Sequence, residues 1–266
     1  MTSPENTRVA SKPITELLYL SDGSYFMSQN TFAFKQFSIT QDKCAMKVGT
    51  DAVLLGAWVK TYGVRKALDI GTGTGVIALM LAQKSGAHID AIEIDLDAAT
   101  EAKENAGNSP WSDRIHVQNI SLQDFTKLTD TTYDLIVSNP PYFKDSLQST
   151  ESNRTTARHT VLLSFEDLIQ CTKKLLNKEG KLYVILPVRE GEQFVQLAAE
   201  NGLLLRRITR VKSTPDKIEK RWLMQFGFQG KPSISDSTLI MEKDPQVRHS
   251  YTDEYKELTK DYYLQF

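Results

Sequence analysis

Three glycines spaced two apart, in Ala67-Leu68-Asp69-Ile70-Gly71-Thr72-Gly73-Thr74-Gly75, constrain this chain more than any other segment. A short apolar run feeds a turn of residues without Cβ atoms, and the turn opens onto a helical stretch near Gly75 to Lys84. Glycine permits a tight strand-to-helix turn and lets a ligand reach the backbone, while the helix N-terminus offers unpaired N–H groups. The spacing differs from the dinucleotide fingerprint, which requires glycine at position 76, where Val76 stands. Taken alone, the loop reads equally well as a structural turn. Glu93 adds weight, because it ends the next candidate strand about twenty residues on, where a carboxylate can accept hydrogen bonds from both hydroxyls of a ribose. Asp95 and Asp97 follow it and read first as N-caps of the next helix.

From Lys66 onward, β-type and helix-type segments alternate, the pattern of parallel strands joined by helical crossovers. Candidate strands are Ala67 to Ile70, His88 to Ile94, Ile115 to Asn119, Tyr133 to Asn139 and Lys181 to Leu186. Helical spacing of apolar residues places helices near Asp97 to Gly107, Ser164 to Leu176 and Glu190 to Glu200. Gly202 ends the last of these, and Leu203 to Lys212 and Trp222 to Phe228 read as a terminal pair of strands. Tyr251, Tyr255, Leu258 and Tyr262 recur at helical intervals, whose plain reading is a helix packed on the domain. Residues 1–30 read as a variable extension, and no internal repeat is present.

Composition narrows the function classes. With 40% hydrophobic and 24% charged residues, and no apolar run near the roughly 18 to 20 residues that span a bilayer, no membrane insertion is expected. Met1 to Ala10 lacks the pattern of a secretory signal, so a cytoplasmic location is expected. Cys44 and Cys171 lie far apart without zinc-type spacing, so neither a metal site nor a disulfide is expected. A formal charge of -1 argues against a protein that coats nucleic acid, yet leaves room for a local basic face. Nothing in the sequence sets an oligomeric state.

The run Tyr133-Asp134-Leu135-Ile136-Val137-Ser138 ends in Asn139-Pro140-Pro141-Tyr142. The two prolines stiffen the loop and favour extended geometry at Asn139. An ordinary β-to-α loop is the plain alternative. Together with the glycine turn, this tetrapeptide resembles the class I amino-methyltransferases that use S-adenosylmethionine. That resemblance implies an α/β fold, a doubly wound, Rossmann-like sheet of seven strands whose last strand inserts antiparallel. It implies cofactor contacts from Gly71, Gly73, Gly75 and Glu93, with Asp69 orienting the methionine end, which carries an ammonium group. It further implies that the Asn139 side-chain oxygen and the Pro140 carbonyl accept the two N–H bonds of a planar amino group, with Tyr142 stacked on the substrate. Methyl transfer from a sulfonium is an in-line displacement, so placement of the nucleophile is the main task. The lone pair of an aromatic amino group is delocalised, and two acceptors favour a more tetrahedral, nucleophilic nitrogen. No titratable base is needed before attack, because the methylated nitrogen becomes acidic as charge develops.

A longer signature lies upstream, in Phe32-Ala33-Phe34-Lys35-Gln36-Phe37 and in Gln41-Asp42-Lys43-Cys44-Ala45-Met46-Lys47-Val48-Gly49-Thr50-Asp51. With Leu55-Gly56-Ala57-Trp58, Ser109-Pro110-Trp111, Ala157-Arg158 and Tyr262-Tyr263-Leu264, it resembles the bacterial tRNA adenine-N6 methyltransferases that modify the base 3′ of a valine anticodon. The resemblance covers residues 31–266. It implies one methyltransferase domain, with a cofactor half over about residues 47–125, a catalytic loop at 139–143, and C-terminal strands and helix over 203–266. The substrate it implies is adenine 37 in the anticodon loop of a valine tRNA, a single-stranded base that can be splayed into a pocket.

Lys47 to Leu55 would close over the methionine end of the cofactor and the target base, although Thr50 or Asp51 reads equally as the N-cap of the following helix. Ser121 stands where the family usually carries an aspartate against the cofactor's adenine, and Asp124 is the other candidate for that contact. Pro141 and Phe143 are candidates against the base. Lys35, Lys43, Lys47, Arg154 and Arg158 are candidates for RNA contact, with Arg206, Arg207, Arg210 and Lys212. Strand alternation would place Arg206 and Arg210 on one face and Arg207 on the other. Guanine N2, cytosine N4 and protein glutamine are alternative acceptors for the same tetrapeptide. A noncatalytic RNA-binding module that keeps the fold is the alternative from a different class.

Overall fold

Alternation of apolar side chains along three adjacent strands divides the interior into two cores. In this computed structural model, which describes residues 30–141, 163–228, 234–244, 246–247 and 249–266, the strands β3 (Lys66–Ile70), β6 (Tyr133–Ser138) and β7 (Leu176–Pro187) lie side by side. Ala67, Leu135, Val137, Tyr183 and Ile185 point to one face, where they pack with Val53, Leu54, Leu79 and Leu81. Leu68, Ile70, Ile136, Leu182 and Val184 point to the other and meet Leu168, Ile169 and Phe194. A sheet buried on both faces needs such continuous apolar strands, and helices must cover each side. Here α1 (Thr50–Trp58), α2 (Val76–Lys84) and α3 (Leu96–Gly107) contribute to the first core, and α4 (Leu122–Leu128), α5 (Phe165–Leu175) and α6 (Val188–Glu200) to the second. The architecture is a doubly wound α/β sheet.

Completing the sheet are β4 (His88–Glu93), β5 (Ile115–Asn119), β8 (Leu204–Lys212), β9 (Glu219–Gly227) and β10 (Ser235–Ile240), in the spatial order β10-β8-β9-β7-β6-β3-β4-β5. Strands β3 to β7 are parallel, while β9 runs antiparallel to both β7 and β8. The antiparallel insertion is as expected, but the sheet has eight strands among the described residues, not seven. The additional strand, β10, pairs parallel with β8 at the edge. Its Ser235-Asp236-Ser237-Thr238 segment is exposed and only Leu239 is buried, so it carries almost none of the apolar signal that marks a strand. Helix α4 also escaped the sequence reading, being seven residues long with only Leu122 and Phe125 buried.

Local chemistry sets the boundaries. Helix α6 ends in Gly202 at φ 80, with Leu203 N–H donating to the Ala198 carbonyl at 2.9 Å and Gly202 N–H to Ala199 at 3.0 Å, the paired pattern of a Schellman cap. Helices α1 and α2 pack so closely that a Cβ on Gly56 would stand 2.6 Å from Met80 Sδ. At the chain's N-terminal side, β1 (Thr31–Ala33) and β2 (Ser38–Thr40) form a separate antiparallel hairpin. Its Phe34 and Phe37 stack with centroids 4.5 Å apart, and Phe34 lies against Tyr263 at 6.3 Å. The expected C-terminal helix is shorter than its tyrosine spacing suggested: α7 (Asp253–Thr259) buries Tyr255, while Tyr251 and Tyr262 lie outside it, and the buried Tyr262 donates its hydroxyl to the Met80 carbonyl at 3.2 Å. Among the described residues, no helix is long and apolar enough to cross a membrane, and no cluster of His, Cys, Asp or Glu could hold a metal ion.

Candidate active site

Strand register brings the two sequence motifs together. Ile70 pairs with Ser138 and with Ile92, so Gly71 leaves β3 between Asn139, leaving β6, and Glu93, ending β4. Glu93 in turn pairs with Asn119 at the end of β5. Strand order reverses between β3 and β6, and the carboxyl edge of a doubly wound sheet forms its ligand crevice at such a switch point. The Ser138 hydroxyl donates to the Ile70 carbonyl at 3.0 Å, tying the two strand ends together beneath the crevice.

The turn is held by its neighbours. Gly71, Gly73 and Gly75 have φ of 69, 55 and 83, the left-handed region that favours glycine. Gly71 and Thr72 N–H groups donate to the Ile92 carbonyl at 2.9 and 3.1 Å, and Gly73 N–H donates to Glu93 Oε2 at 2.9 Å. The other Glu93 oxygen accepts from Asp95 N–H at 3.0 Å, so one carboxylate links the turn to the start of α3. Asp95 caps α3, accepting from Ala98 N–H, as its first reading expected; Asp97 lies in the first turn.

Asp69 lies below this turn, fully buried. Its Oδ2 accepts from the Thr72 hydroxyl at 2.6 Å and from Ala78 N–H at 3.1 Å, while Oδ1 has no partner. Burial pushes its carboxyl pKa up to about 7, against the lowering effect of those two donors.

Two cavities meet over the turn. The first, about 410 Å³, is bounded by Ile92, Glu93 and Ile94 on one side, by Ile120, Ser121 and Leu122 on another, and by Asn139 and Pro140. Mostly apolar walls with a few convergent polar groups are the usual make-up of a small-molecule site. The second, about 660 Å³, lies under residues 46–52 and is also bounded by Thr72 and Thr74. Met46, Gly71, Gly73, Asn139, Pro140 and Pro141 border both. Asn139 is half-buried, Pro140 buried and Pro141 exposed.

Other expected site residues have more particular surroundings. Ser121 caps α4, its hydroxyl accepting from Asp124 N–H at 3.1 Å and donating to Asp124 Oδ2 at 2.8 Å. Asp124 also takes Lys127 at 2.9 Å, which holds its carboxyl below the usual range, and it borders neither cavity. Lys47 borders the second cavity and donates to Asn30 Oδ1 at 3.1 Å. Lys35 borders neither, since its ammonium donates to the Lys260 carbonyl at 2.6 Å and to that of Phe266.

Neither Thr50 nor Asp51 caps α1. Gly49 holds the N-cap position without a side-chain bond, and Asp51 is instead paired with Arg221 Nε at 2.7 Å. Arg207 lies over the Trp58 ring at 3.9 Å, Arg210 binds Asp236 and Glu219, and Lys212 donates to the Pro215 carbonyl. Tyr142, Phe143, Arg154 and Arg158 lie outside the described residues.

Sequence reading missed Asn119, whose amide donates to the Glu93 and Ile94 carbonyls, both at 2.9 Å, and so holds the wall beyond β4. An asparagine at a strand end was its only signal.

A family model described as methyltransferase small domain matches residues 44–195. A tRNA1(Val) (adenine(37)-N6)-methyltransferase from Trichodesmium erythraeum is 47% identical over 90% of this chain and 100% of its own length. One of the same name from Parabacteroides distasonis is 46% identical, over 90% and 99%. The chain belongs to this family of methyltransferases. A solved structure described as a predicted O-methyltransferase from Agrobacterium tumefaciens is similar with a TM-score of 0.63, covering 80% of this chain and 96% of its own at 20% identity, a likeness of fold alone.

The methyltransferase's cofactor is S-adenosylmethionine, and the residues present fit it. A Cβ on Gly71 would meet nothing within 4 Å, so the turn leaves open space above its backbone. The orphaned Asp69 oxygen beneath is a buried acceptor without a donor, suited to the field of an ammonium group. Glu93 stands at the cavity wall with an acidic side chain, as binding of a ribose requires.

Proposed function

We propose that this protein methylates N6 of an adenine in tRNA, adenine 37 beside the anticodon of a valine tRNA. The observation that carries this reading is the place of Asn139 and Pro140 on the wall shared by both cavities, in a chain 47% identical to a tRNA1(Val) (adenine(37)-N6)-methyltransferase over that protein's whole length. Bound S-adenosylmethionine supplies an electrophilic methyl group on a sulfonium. The protein's own part is placement: the first cavity would hold the cofactor and the second would admit the target base, with residues 139–141 on the border of both.

In this proposal the Asn139 side-chain oxygen and the Pro140 carbonyl each accept one N–H of the adenine amino group. Asn139 is half-buried on the border of both cavities, which suits its side-chain oxygen to that task. Gly71, Gly73, Glu93 and Ser121, on the border of the first cavity, serve the cofactor directly, Gly75 and Asp69 serve it by shaping the turn, and Lys47 serves it from the border of the second cavity. Ser121 would meet the adenine ring through backbone groups at the start of α4, because its hydroxyl is already engaged by Asp124. Tyr142, Pro141 and Phe143 take the base, and Arg154 and Arg158 the RNA backbone. Residues 31–266 act as one methyltransferase domain.

Incubation with labelled S-adenosylmethionine and total bacterial tRNA lacking the modification tests the proposal, with the labelled nucleoside mapped by mass spectrometry. N6-methyladenosine beside the valine anticodon is the expected product. Label on guanine or cytosine would move the substrate within nucleic acid, and absence of label despite cofactor binding would refute the reading.

A further inference from the structure

Glu101, in the middle of α3, is 1% exposed, and its hydrogen-bond partners are backbone amides. Its Oε1 accepts from the N–H groups of Asp42 and Lys43 at 2.5 and 2.8 Å, and its Oε2 from that of Cys44 at 2.9 Å. Successive amides converging on one point form a concave anion site, here filled by the protein's own carboxylate. One turn further on, Asn105 accepts from Thr40 N–H and donates to the Thr40 and Thr74 carbonyls, all at 2.9 Å. Helix α3 thus fastens both the segment entering residue 41 and the glycine turn.

Residues 41–48 form a strap. Val48 N–H donates to Gln41 Oε1 at 2.8 Å, which closes its neck. At its tip, Met46 is 63% exposed and borders both cavities. Cys44, whose thiol donates to the Met46 carbonyl at 3.2 Å, lies against the turn, 3.9 Å from where a Cβ on Gly73 would stand. The same helix carries Asp95 and Ala98 at the wall of the first cavity. Strap, cofactor wall and glycine turn therefore share one support.

We propose that Glu101 is a positioning residue, which by holding residues 42–44 on α3 fixes the strap over the first cavity and sets the affinity for S-adenosylmethionine. The inference rests on the cofactor assignment above. Three N–H donors reach two carboxylate oxygens, whereas an amide has one oxygen and turns an NH2 group toward the remaining donor. Glu101→Gln therefore leaves Cys44 N–H facing a donor in a buried place, and the strap loses its hold at the residue nearest the turn. Asn139 hangs from β6 rather than from the strap, so the methyl-transfer step itself is spared.

Cofactor titration by calorimetry on the full chain, with steady-state kinetics on tRNA and urea denaturation of the same samples, tests this on Glu101→Gln, Gln41→Ala and Glu104→Gln. In Glu101→Gln and Gln41→Ala, the Kd and KM for S-adenosylmethionine rise about tenfold while kcat at saturating cofactor stays within about twofold. Glu104→Gln, which removes only an exposed pair with Lys43 one turn away, matches wild type. Loss of packing alone would lower stability and leave that split absent. A folded Glu101→Gln protein with Kd within about twofold of wild type overturns the proposal, as does a fall in kcat at unchanged Kd. Should Glu101→Gln not fold, Gln41→Ala decides in the same way, since it opens the strap from the neck. A wild-type chain that does not bind S-adenosylmethionine refutes the cofactor assignment, and the proposal with it.

Discussion

Asp69→Asn should abolish a pH dependence of stability that wild type carries. Burial raises the Asp69 carboxyl from the 3.8 of an ordinary aspartate to about 7 in the folded chain. Because the folded pKa is the higher, the neutral form's contribution is fully present below about pH 4 and is lost as pH rises through 7. A gap of about three pH units, at about 1.4 kcal/mol each, gives about 4 kcal/mol in all, of which about 2 kcal/mol falls between pH 5.5 and 8.5. Asparagine does not titrate. Its oxygen can still accept from Thr72 and Ala78, but its NH2 takes the place of the unpaired oxygen and finds no acceptor, at a pH-independent cost of about 1 to 3 kcal/mol. The decisive quantity is therefore the change in the wild-type-minus-variant difference with pH. Urea unfolding extrapolated to water at pH 5.5 and 8.5 measures it. The variant should gain about 2 kcal/mol on wild type across that interval. An equal difference at both pH values would refute the assignment of a buried, proton-holding carboxyl beneath the glycine turn.

Asn139→Ala should lower kcat by at least about a hundredfold, the usual loss of one preorganised electrostatic contact, while S-adenosylmethionine titration shows Kd within about threefold of wild type. Gly71→Ala should cost on the order of 1 to 2 kcal/mol in urea unfolding, for a side chain held at φ 69, and raise KM for the cofactor by placing a methyl in the open space above the turn. Lys84, largely buried, donates to the Gly56, Ala57 and Val59 carbonyls at the end of α1. Lys84→Met should destabilise by about 2 to 3 kcal/mol at pH 7, as three buried acceptors lose their donors. Burial lowers the Lys84 pKa to about 7, so wild-type stability should rise from pH 7 toward 10 relative to Lys84→Met, read by the same unfolding assay.

Much of the sheet was legible because its strands declare themselves by composition. Ala67 to Ile70 and Tyr133 to Ser138 are apolar runs bounded by a glycine turn and by prolines, and both faces of each are buried. Strand β10 was not legible, since an exposed edge strand of Ser, Asp, Ser and Thr buries too little to leave a pattern. The capping alternative for Thr50 or Asp51 does not hold, because side-chain capping is a local rule and Asp51 is drawn instead to Arg221, 170 residues away. Glu101 and Asn105 did leave a trace. They sit four apart on the stripe of Ala98, Ala102 and Ala106, polar residues on a buried helix face, and such residues require partners. What sequence could not supply was which backbone, some 31 to 65 residues earlier, would provide them.

Three carboxylates, each binding backbone amides, organise the carboxyl edge of this sheet, and their different settings give them different work. Asp69 receives one amide and one hydroxyl on a single oxygen in full burial, so its charge is disfavoured and its second oxygen is left without a donor. Glu93 divides its oxygens between Gly73 and Asp95, at the cavity wall where a ligand can reach the remaining lone pairs. Glu101 is as deeply buried as Asp69 but receives three amides, which give both of its oxygens donors. If these contacts to backbone amides are what hold turn, wall and strap together, isosteric amides should act unequally. At Asp69 the change removes a titration, at Glu93 it weakens both the turn and the ribose contact, and at Glu101 it loosens the strap alone. Cofactor affinity should then fall most for Glu93→Gln and less for Glu101→Gln. Equal losses at Glu93 and Glu101 would mean that the edge responds as one unit, and that the division of labour read from these contacts is wrong.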